Sequence, residues 1–173
     1  MSASSIRKTA GRILCIGIIL LLVCISFASA EDLFAAGEQN LRDHGLVLED
    51  VISEYSEFGN SGNGLSGFWL PYLQDKKPAF HLFDVTGDGC VDLVTGRMFG
   101  SGMVRHEVVV MDPISHEIYI LDGYDYDYGV TDVTADRLTV EKSGPTGYNK
   151  PITKTQGTIK LEDGQLVFVP DEK

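Results

Sequence analysis

The second half of this 173-residue chain alternates short apolar runs with turn residues, and that alternation limits its fold more than any other feature. The runs cover residues 79–84, 91–95, 106–111, 117–121, 129–133, 137–141, 155–161 and 165–169. Tight turns separate consecutive runs, and no strand–helix–strand alternation occurs among them. The sequence therefore predicts a mostly antiparallel sheet.

Two hairpins can be assigned within these runs. Residues 107–111 and 117–121 flank the turn sequence Asp112-Pro113-Ile114-Ser115. Residues 157–161 and 166–169 flank Glu162-Asp163-Gly164-Gln165. Short strands on either side of such turn residues are typical of antiparallel hairpins.

Residues 31–58 have a helical pattern. Leu48, Val51, Ile52 and Tyr55 are spaced i, i+3, i+4 and i+7, which places them on one helix face. Gly45 is suited to end an earlier helix, because glycine adopts the left-handed conformation found after helix ends. The sequence thus predicts an α+β fold in which one or two N-terminal helices, packed on the rest of the domain, precede the sheet.

The segment 59–77 is expected to connect the helices to the sheet. Its first part is rich in glycine, and its second part holds an aromatic cluster, residues 68–73, with the sole tryptophan, Trp69. Such a cluster is consistent with the edge of a core or with a sugar-binding surface. Residues 31–173 have the length of a single domain, in which residues 78–173 form the β region.

Residues 1–30 have the three parts of a secretory signal peptide. Arg7, Lys8 and Arg12 precede an apolar stretch, residues 13–27, and Ala28-Ser29-Ala30 is a small-x-small cleavage site. The apolar stretch is shorter than the roughly 20 residues that a membrane-spanning helix needs. We therefore expect cleavage after Ala30 and a secreted or periplasmic protein that leaves the membrane after cleavage.

The charge and the cysteines narrow the choice of partners. Removing three basic residues and no acidic one takes the formal net charge from −11 to −14, which disfavours nucleic acids and suits cations. Two of the three cysteines lie in the signal peptide, so Cys90 has no intrachain disulfide partner. Cys90 is either a small apolar filler or a thiol that pairs between molecules.

Residues 84–92 have the composition of a calcium loop. Side-chain oxygens occur at Asp84, Thr86, Asp88 and Asp92, and the backbone carbonyl of Cys90 is a further ligand. Glycine at position 89 permits the sharp turn that such loops need. The alternative interpretation is an acidic turn that binds no metal. An EF-hand is excluded, because Thr95 stands at the twelfth position, where a bidentate glutamate is required, and strands flank the loop.

The pattern Phe83-Asp84-x-Thr86-Gly87-Asp88-Gly89-x-x-Asp92-Leu93 resembles the strand–loop–strand calcium motif of the FG-GAP/VCBS repeats. These repeats build the blades of integrin-type β-propellers and occur widely in exported bacterial proteins. The resemblance implies a propeller-blade-like sheet and calcium ligation by the residues named above. The chain holds one copy of the motif, so it cannot form a whole propeller by itself.

The acidic and aromatic stretch Tyr124–Tyr128 is the other candidate site. In an extended conformation its three tyrosines would share one face, with Asp125 and Asp127 on the other. A carbohydrate or protein ligand, a second cation site that includes Asp122, and a solvated hairpin end are the interpretations left open. Histidines 81, 106 and 116 match no zinc spacing, and no nucleophile motif is present.

We therefore expect an exported calcium-binding domain with a structural metal, which acts as a binding or interaction module. The sequence gives no positive indication of catalysis. An exported hydrolase with its site near Tyr124–Tyr128 is the alternative function, and an inhibitor or adaptor that pairs through a sheet edge is the third.

Overall fold

The computed structural model describes residues 29–58, 80–99, 105–121, 125–145 and 151–172. Nearly all of the expected signal peptide and the whole of the expected connection 59–77 lie outside these ranges. Two helices come first, α1 (Ala30–Asp43) and α2 (Leu48–Phe58). Eight strands follow: β1 (His81–Phe83), β2 (Asp92–Phe99), β3 (Arg105–Met111), β4 (Ile118–Leu121), β5 (Asp127–Val133), β6 (Leu138–Gly144), β7 (Thr153–Glu162) and β8 (Gln165–Pro170).

The strands form two antiparallel sheets of four. The first sheet has the order β1-β2-β3-β4 and the second the order β5-β6-β7-β8, so every hydrogen-bonded neighbour is also a neighbour in sequence. The expected α+β class, with N-terminal helices and antiparallel pairing, is confirmed. Both predicted hairpins are present, with Met111 opposite Ile118 and Leu161 opposite Leu166. The structure differs from the expectation of one sheet, because the chain starts a second sheet at Asp127.

Both ends of α1 are capped by side chains or turns that the local sequence provides. Ser29 and Asp32 form a capping box, in which the Ser29 hydroxyl accepts from the Asp32 amide and the Asp32 carboxylate accepts from the Ser29 amide. At the other end Gly45 has a φ of 78°. Its amide donates to Arg42 O, and the Leu46 amide donates to Leu41 O, which together make a Schellman motif. The predicted helix break at Gly45 is confirmed.

The helices pack against one face of the first sheet. Their contact is close at Gly37, where a Cβ atom would lie 2.6 Å from the Cβ of Leu82 on β1. The buried residues of this first core are Leu41, Leu48, Val51, Ile52, Tyr55, Phe80, Leu82, Cys90, Leu93, Val109 and Met111. The predicted apolar face of α2 is thus buried in the first core.

The second sheet packs against the opposite face of the first. The buried residues of this second core are Val85, Val94, Val108, Val110, Leu121, Tyr128, Leu138, Val140, Ile159 and Leu166. Successive side chains of a strand point to opposite faces, so Val109 faces the helices while Val108 and Val110 face the second sheet. Because both faces of the first sheet are covered, consecutive residues of its central strand β3 must all be apolar. This explains why residues 108–111 are all apolar and fully buried.

Candidate functional site

The loop between β1 and β2, together with Asp92 at the start of β2, carries all five of the expected metal-ligand residues. Phe83 and Asp92 pair across the two strands, so residues 84–91 form a closed hairpin loop. Gly87 and Gly89 have φ values of 80° and 93°. A Cβ atom would meet nothing within 4 Å at either position, so the backbone conformation, rather than space, requires glycine there.

The Asp84 side chain holds the first half of the loop in its curled form. Its Oδ1 accepts from the Gly87 amide at 2.6 Å, and its Oδ2 accepts from the Gly89 amide at 3.0 Å. Asp88 accepts in the same manner from the Cys90 amide, at 2.8 Å. The backbone amides of this loop are not paired in a strand ladder, so they need other acceptors. The carboxylates supply these acceptors, and the hydrogen bonds hold the loop in one conformation.

Asp92 is the most deeply placed of the acids, with 0% of its surface exposed. Its Oδ2 accepts from the Val85 amide at 2.6 Å and the Thr86 amide at 2.9 Å, and its Oδ1 accepts from the Thr86 hydroxyl at 3.3 Å. Burial raises the pKa of Asp92 to about 7 against the lowering effect of the two amides, and the Asp112 and Asp84 carboxylates raise it further. In the part of the chain that the structure describes, no Lys, Arg or His forms an ion pair with Asp92.

Asn40 of helix α1 clamps the far side of the loop, and the sequence offered no local sign of this contact. Its side-chain amide donates to Gly89 O at 3.0 Å, and its Oδ1 accepts from the Val91 amide at 2.8 Å. The two bonds together satisfy a carbonyl and an amide that the loop itself leaves unpaired. Only the proximity of α1 to the loop in the folded chain shows this role.

Cys90 points away from the solvent into the first core. Its side chain is buried and free of disulfides, and burial raises the pKa of its thiol to about 11, with Asp88 and Asp92 contributing. A buried thiol of raised pKa is an apolar filler rather than a nucleophile. Its backbone carbonyl remains the only part of Cys90 suited to a metal.

The donor set of the loop suits calcium in type, since it consists of carboxylate, hydroxyl and carbonyl oxygens. As the described residues stand, no three His, Cys, Asp or Glu side chains gather about one point to hold a metal. The carboxylates of Asp84, Asp88 and Asp92 are instead turned to the amides of their own loop. The structure thus brings the expected ligands into one loop without arranging them as a closed cage.

The second candidate stretch is only partly described, because residues 122–124 lie outside the described ranges. Tyr128 is 7% exposed and packs on Phe168 with ring centroids 5.8 Å apart, while the Lys142 amine lies 3.9 Å from the Tyr126 ring centroid. Asp127 accepts a hydrogen bond from the His106 amide. The two described tyrosines therefore serve packing rather than an exposed aromatic platform.

No protein-family model, no curated protein and no solved structure matches this chain. Within the described residues, none of the helices is long and apolar enough to cross a membrane. The function must therefore be inferred from the chemistry of this chain alone.

Proposed function

We propose that the chain is an exported calcium-binding domain in which the ion has a structural role at loop 84–92, and that the domain acts as a binding module. The observation that carries the calcium proposal is the complete burial of Asp92 with no cationic partner among the described residues. The resemblance of the loop to the FG-GAP/VCBS motif gives independent support from the sequence.

The physical argument rests on charge. Burying a carboxylate is costly unless a counter-charge or a proton neutralises it. The carboxylates of Asp112 and Asp84 lie near Asp92, and their charges make ionisation of Asp92 harder still. A calcium ion would remove this penalty, and each carboxylate oxygen has lone pairs enough to keep an amide hydrogen bond while it binds an ion.

The ligands we assign are the side chains of Asp84, Thr86, Asp88 and Asp92 and the backbone carbonyl of Cys90. Calcium supplies concentrated positive charge there and does no chemistry in this proposal. The loop residues orient their oxygens through the amide bonds described above, and the buried Cys90 side chain anchors the loop to the first core.

A structural role follows from what surrounds the loop. Asn40 ties the loop to α1, and Asp92 begins β2, a central strand of the first sheet. Fixing the loop therefore fixes the junction between the helices and the sheet. Metals that bind only the folded state stabilise it by mass action.

Calorimetric titration of the exported protein with calcium tests the proposal directly. At a hundredfold excess of calcium over Kd, the free energy of unfolding should rise by about 2.7 kcal/mol. Asp88→Ala should remove most of this gain, whereas Cys90→Ser should keep calcium binding, since only the Cys90 backbone is assigned as a ligand. A melting temperature that is the same in calcium and in chelator would refute the proposal.

A further inference from the structure

A cavity with a mixed polar and apolar lining lies between the two sheets, and none of the loop residues 84–92 lines it. Its volume is about 490 Å³, inside the range of roughly 300–1,000 Å³ that is usual for small-molecule sites. Strands β1, β2 and β3 form one wall, and β5 and β6 form the other. We call it the inter-sheet cleft; its lining includes His81, Gly96, His106, Asp127, Gly129 and Glu141.

Two glycines on facing walls leave the space open. A Cβ atom on Gly96 of β2 would be no closer than 4.0 Å to its nearest neighbour, the Glu107 carbonyl, and one on Gly129 of β5 would meet nothing within 4 Å. Neither glycine has a positive φ, so the backbone does not demand glycine at these positions. Glycine inside a strand often marks a place where a ligand approaches the backbone.

The charges on the walls are largely compensated from within. Glu141 pairs with Lys154 at 2.8 Å, and Arg97 pairs with the buried Glu107. Burial lowers the pKa of His81, which favours its neutral form. Apart from Asp127, the described lining therefore has little uncompensated charge, so it gives no strong attraction to a multiply charged ligand.

Asp127 and His106 are the pair with hydrogen-bonding capacity left for a ligand. Oδ1 of Asp127 accepts from the His106 amide at 2.8 Å and lies 3.9 Å from His106 Nδ1. Among the described residues no hydrogen bond engages Oδ2 of Asp127. With the imidazole of His81 and the hydroxyl of Ser143, the cleft offers donors and acceptors side by side.

We propose that the inter-sheet cleft binds a neutral saccharide, whose hydroxyl groups hydrogen-bond to Asp127 and His106. Hydroxyl groups both donate and accept, so they match mixed walls better than a purely donating or accepting ligand does. The inference deepens the binding role proposed above. It does not rest on the calcium ion, because the loop contributes nothing to the lining.

A glycan array that contains neutral, sialylated and sulfated glycans tests this, followed by calorimetric titration with the best neutral saccharide. We expect binding to neutral glycans. Asp127→Asn keeps an oxygen for the His106 amide but loses the carboxylate, and Gly129→Leu fills the cleft. Each should weaken binding at least tenfold. Asp163→Asn, the same change in the exposed β7–β8 turn, is the control and should bind as the unaltered protein does.

The proposal fails if no neutral glycan binds, if only charged glycans bind, or if Asp127→Asn binds the saccharide as tightly as the unaltered protein. Circular dichroism and thermal unfolding of each variant show whether it is folded, and if Gly129→Leu is not, Asp127→Asn alone decides. Saccharide binding that persists in chelator would separate this proposal from the calcium proposal, since either one can then fail without the other.

Discussion

The side-chain amide of Asn40 donates to the backbone carbonyl of Gly89 across 49 positions of sequence, at 3.0 Å. The same side chain accepts from the Val91 amide, so one residue of α1 holds two successive parts of the loop. This pair of bonds connects the helical layer to the candidate calcium loop.

Replacing Asn40 by alanine removes both bonds. Each such bond contributes about 1 kcal/mol net, so Asn40→Ala should lower the free energy of unfolding by about 2 kcal/mol and weaken calcium binding. Urea unfolding and calcium titration measure the two effects. Gln39→Ala, which alters only bonds on the exposed surface of the same helix, should change stability by less than about 0.5 kcal/mol. Equal stability of the two variants would contradict the clamp.

Gly157 and Gly129 make a matched pair in the second sheet. A Cβ on Gly157 would lie 2.7 Å from the Phe168 ring and closer still to the Val169 carbonyl, whereas one on Gly129 would meet nothing within 4 Å. Gly157→Ala should therefore cost about 1–3 kcal/mol through overpacking. Gly129→Ala should be neutral or slightly stabilising. Thermal unfolding of both variants checks this, and the opposite ranking would contradict the close packing of Gly157 against Phe168 and Val169.

The buried hydroxyl of Tyr55 donates to the Asp112 carbonyl at 2.6 Å and so joins α2 to the turn after β3. Burial raises the pKa of this phenol well above its ordinary value, so it stays protonated and able to donate. Tyr55→Phe leaves the carbonyl unsatisfied and should cost about 1–3 kcal/mol. Chemical denaturation gives the value, with Tyr119→Phe, at a partly buried position, as a comparison. No loss in Tyr55→Phe would mean that water replaces the hydroxyl.

His81 gives the cleft a pH dependence. The residue lines the cleft, and partial burial of its ring lowers its pKa, so the folded state resists its protonation. The unfolded chain takes up a proton near pH 6.5, so the contribution of His81 to stability should be lost as pH falls below about 6.5, while Asp92, whose pKa is raised to about 7, acts in the opposite direction. Between neutral and mildly acidic pH, the stability of the unaltered protein should fall relative to that of His81→Gln, as unfolding measured at each pH shows. Parallel curves would remove His81 as the cause.

Export supplies a further prediction. The basic, apolar and Ala28-Ser29-Ala30 succession predicts that the exported protein begins at Glu31. Mass spectrometry of the protein recovered outside the cytoplasm measures this mass. A product that retains residues 1–30 and stays with the membrane would overturn the assignment.

The order and type of the elements could be predicted because they depend on local sequence. Turn residues such as those at 112–115 and 162–165 end strands wherever they occur, and Gly45 ends a helix by its own conformational freedom. Strand β2 is longer than the predicted 91–95. The prediction stopped short because Gly96 and Arg97 are not apolar, although both continue the pairing with β3.

Contacts between distant segments could not be predicted in this way. The division into two sheets depends on which strand faces become buried together, and periodicity does not encode that choice. The Asn40 clamp and the inter-sheet cleft likewise arise only when segments far apart in the chain meet. For the loop, the sequence predicted candidate ligands, while the amide bonds that occupy the carboxylates became visible only in the folded chain.

If the chain is cleaved after Ala30, as the sequence predicts, the start of α1 sets an order of events during export. The bond between Ala30 and Glu31 lies in the first turn of the helix, and Ser29, which caps that turn, belongs to the expected cleavage site. A protease that reads an extended segment cannot act on this bond once the turn has formed. Cleavage at this bond would then have to come before the helix docks on the sheet, and the cleaved protein would begin its first helix with the free amino group of Glu31, without the serine cap.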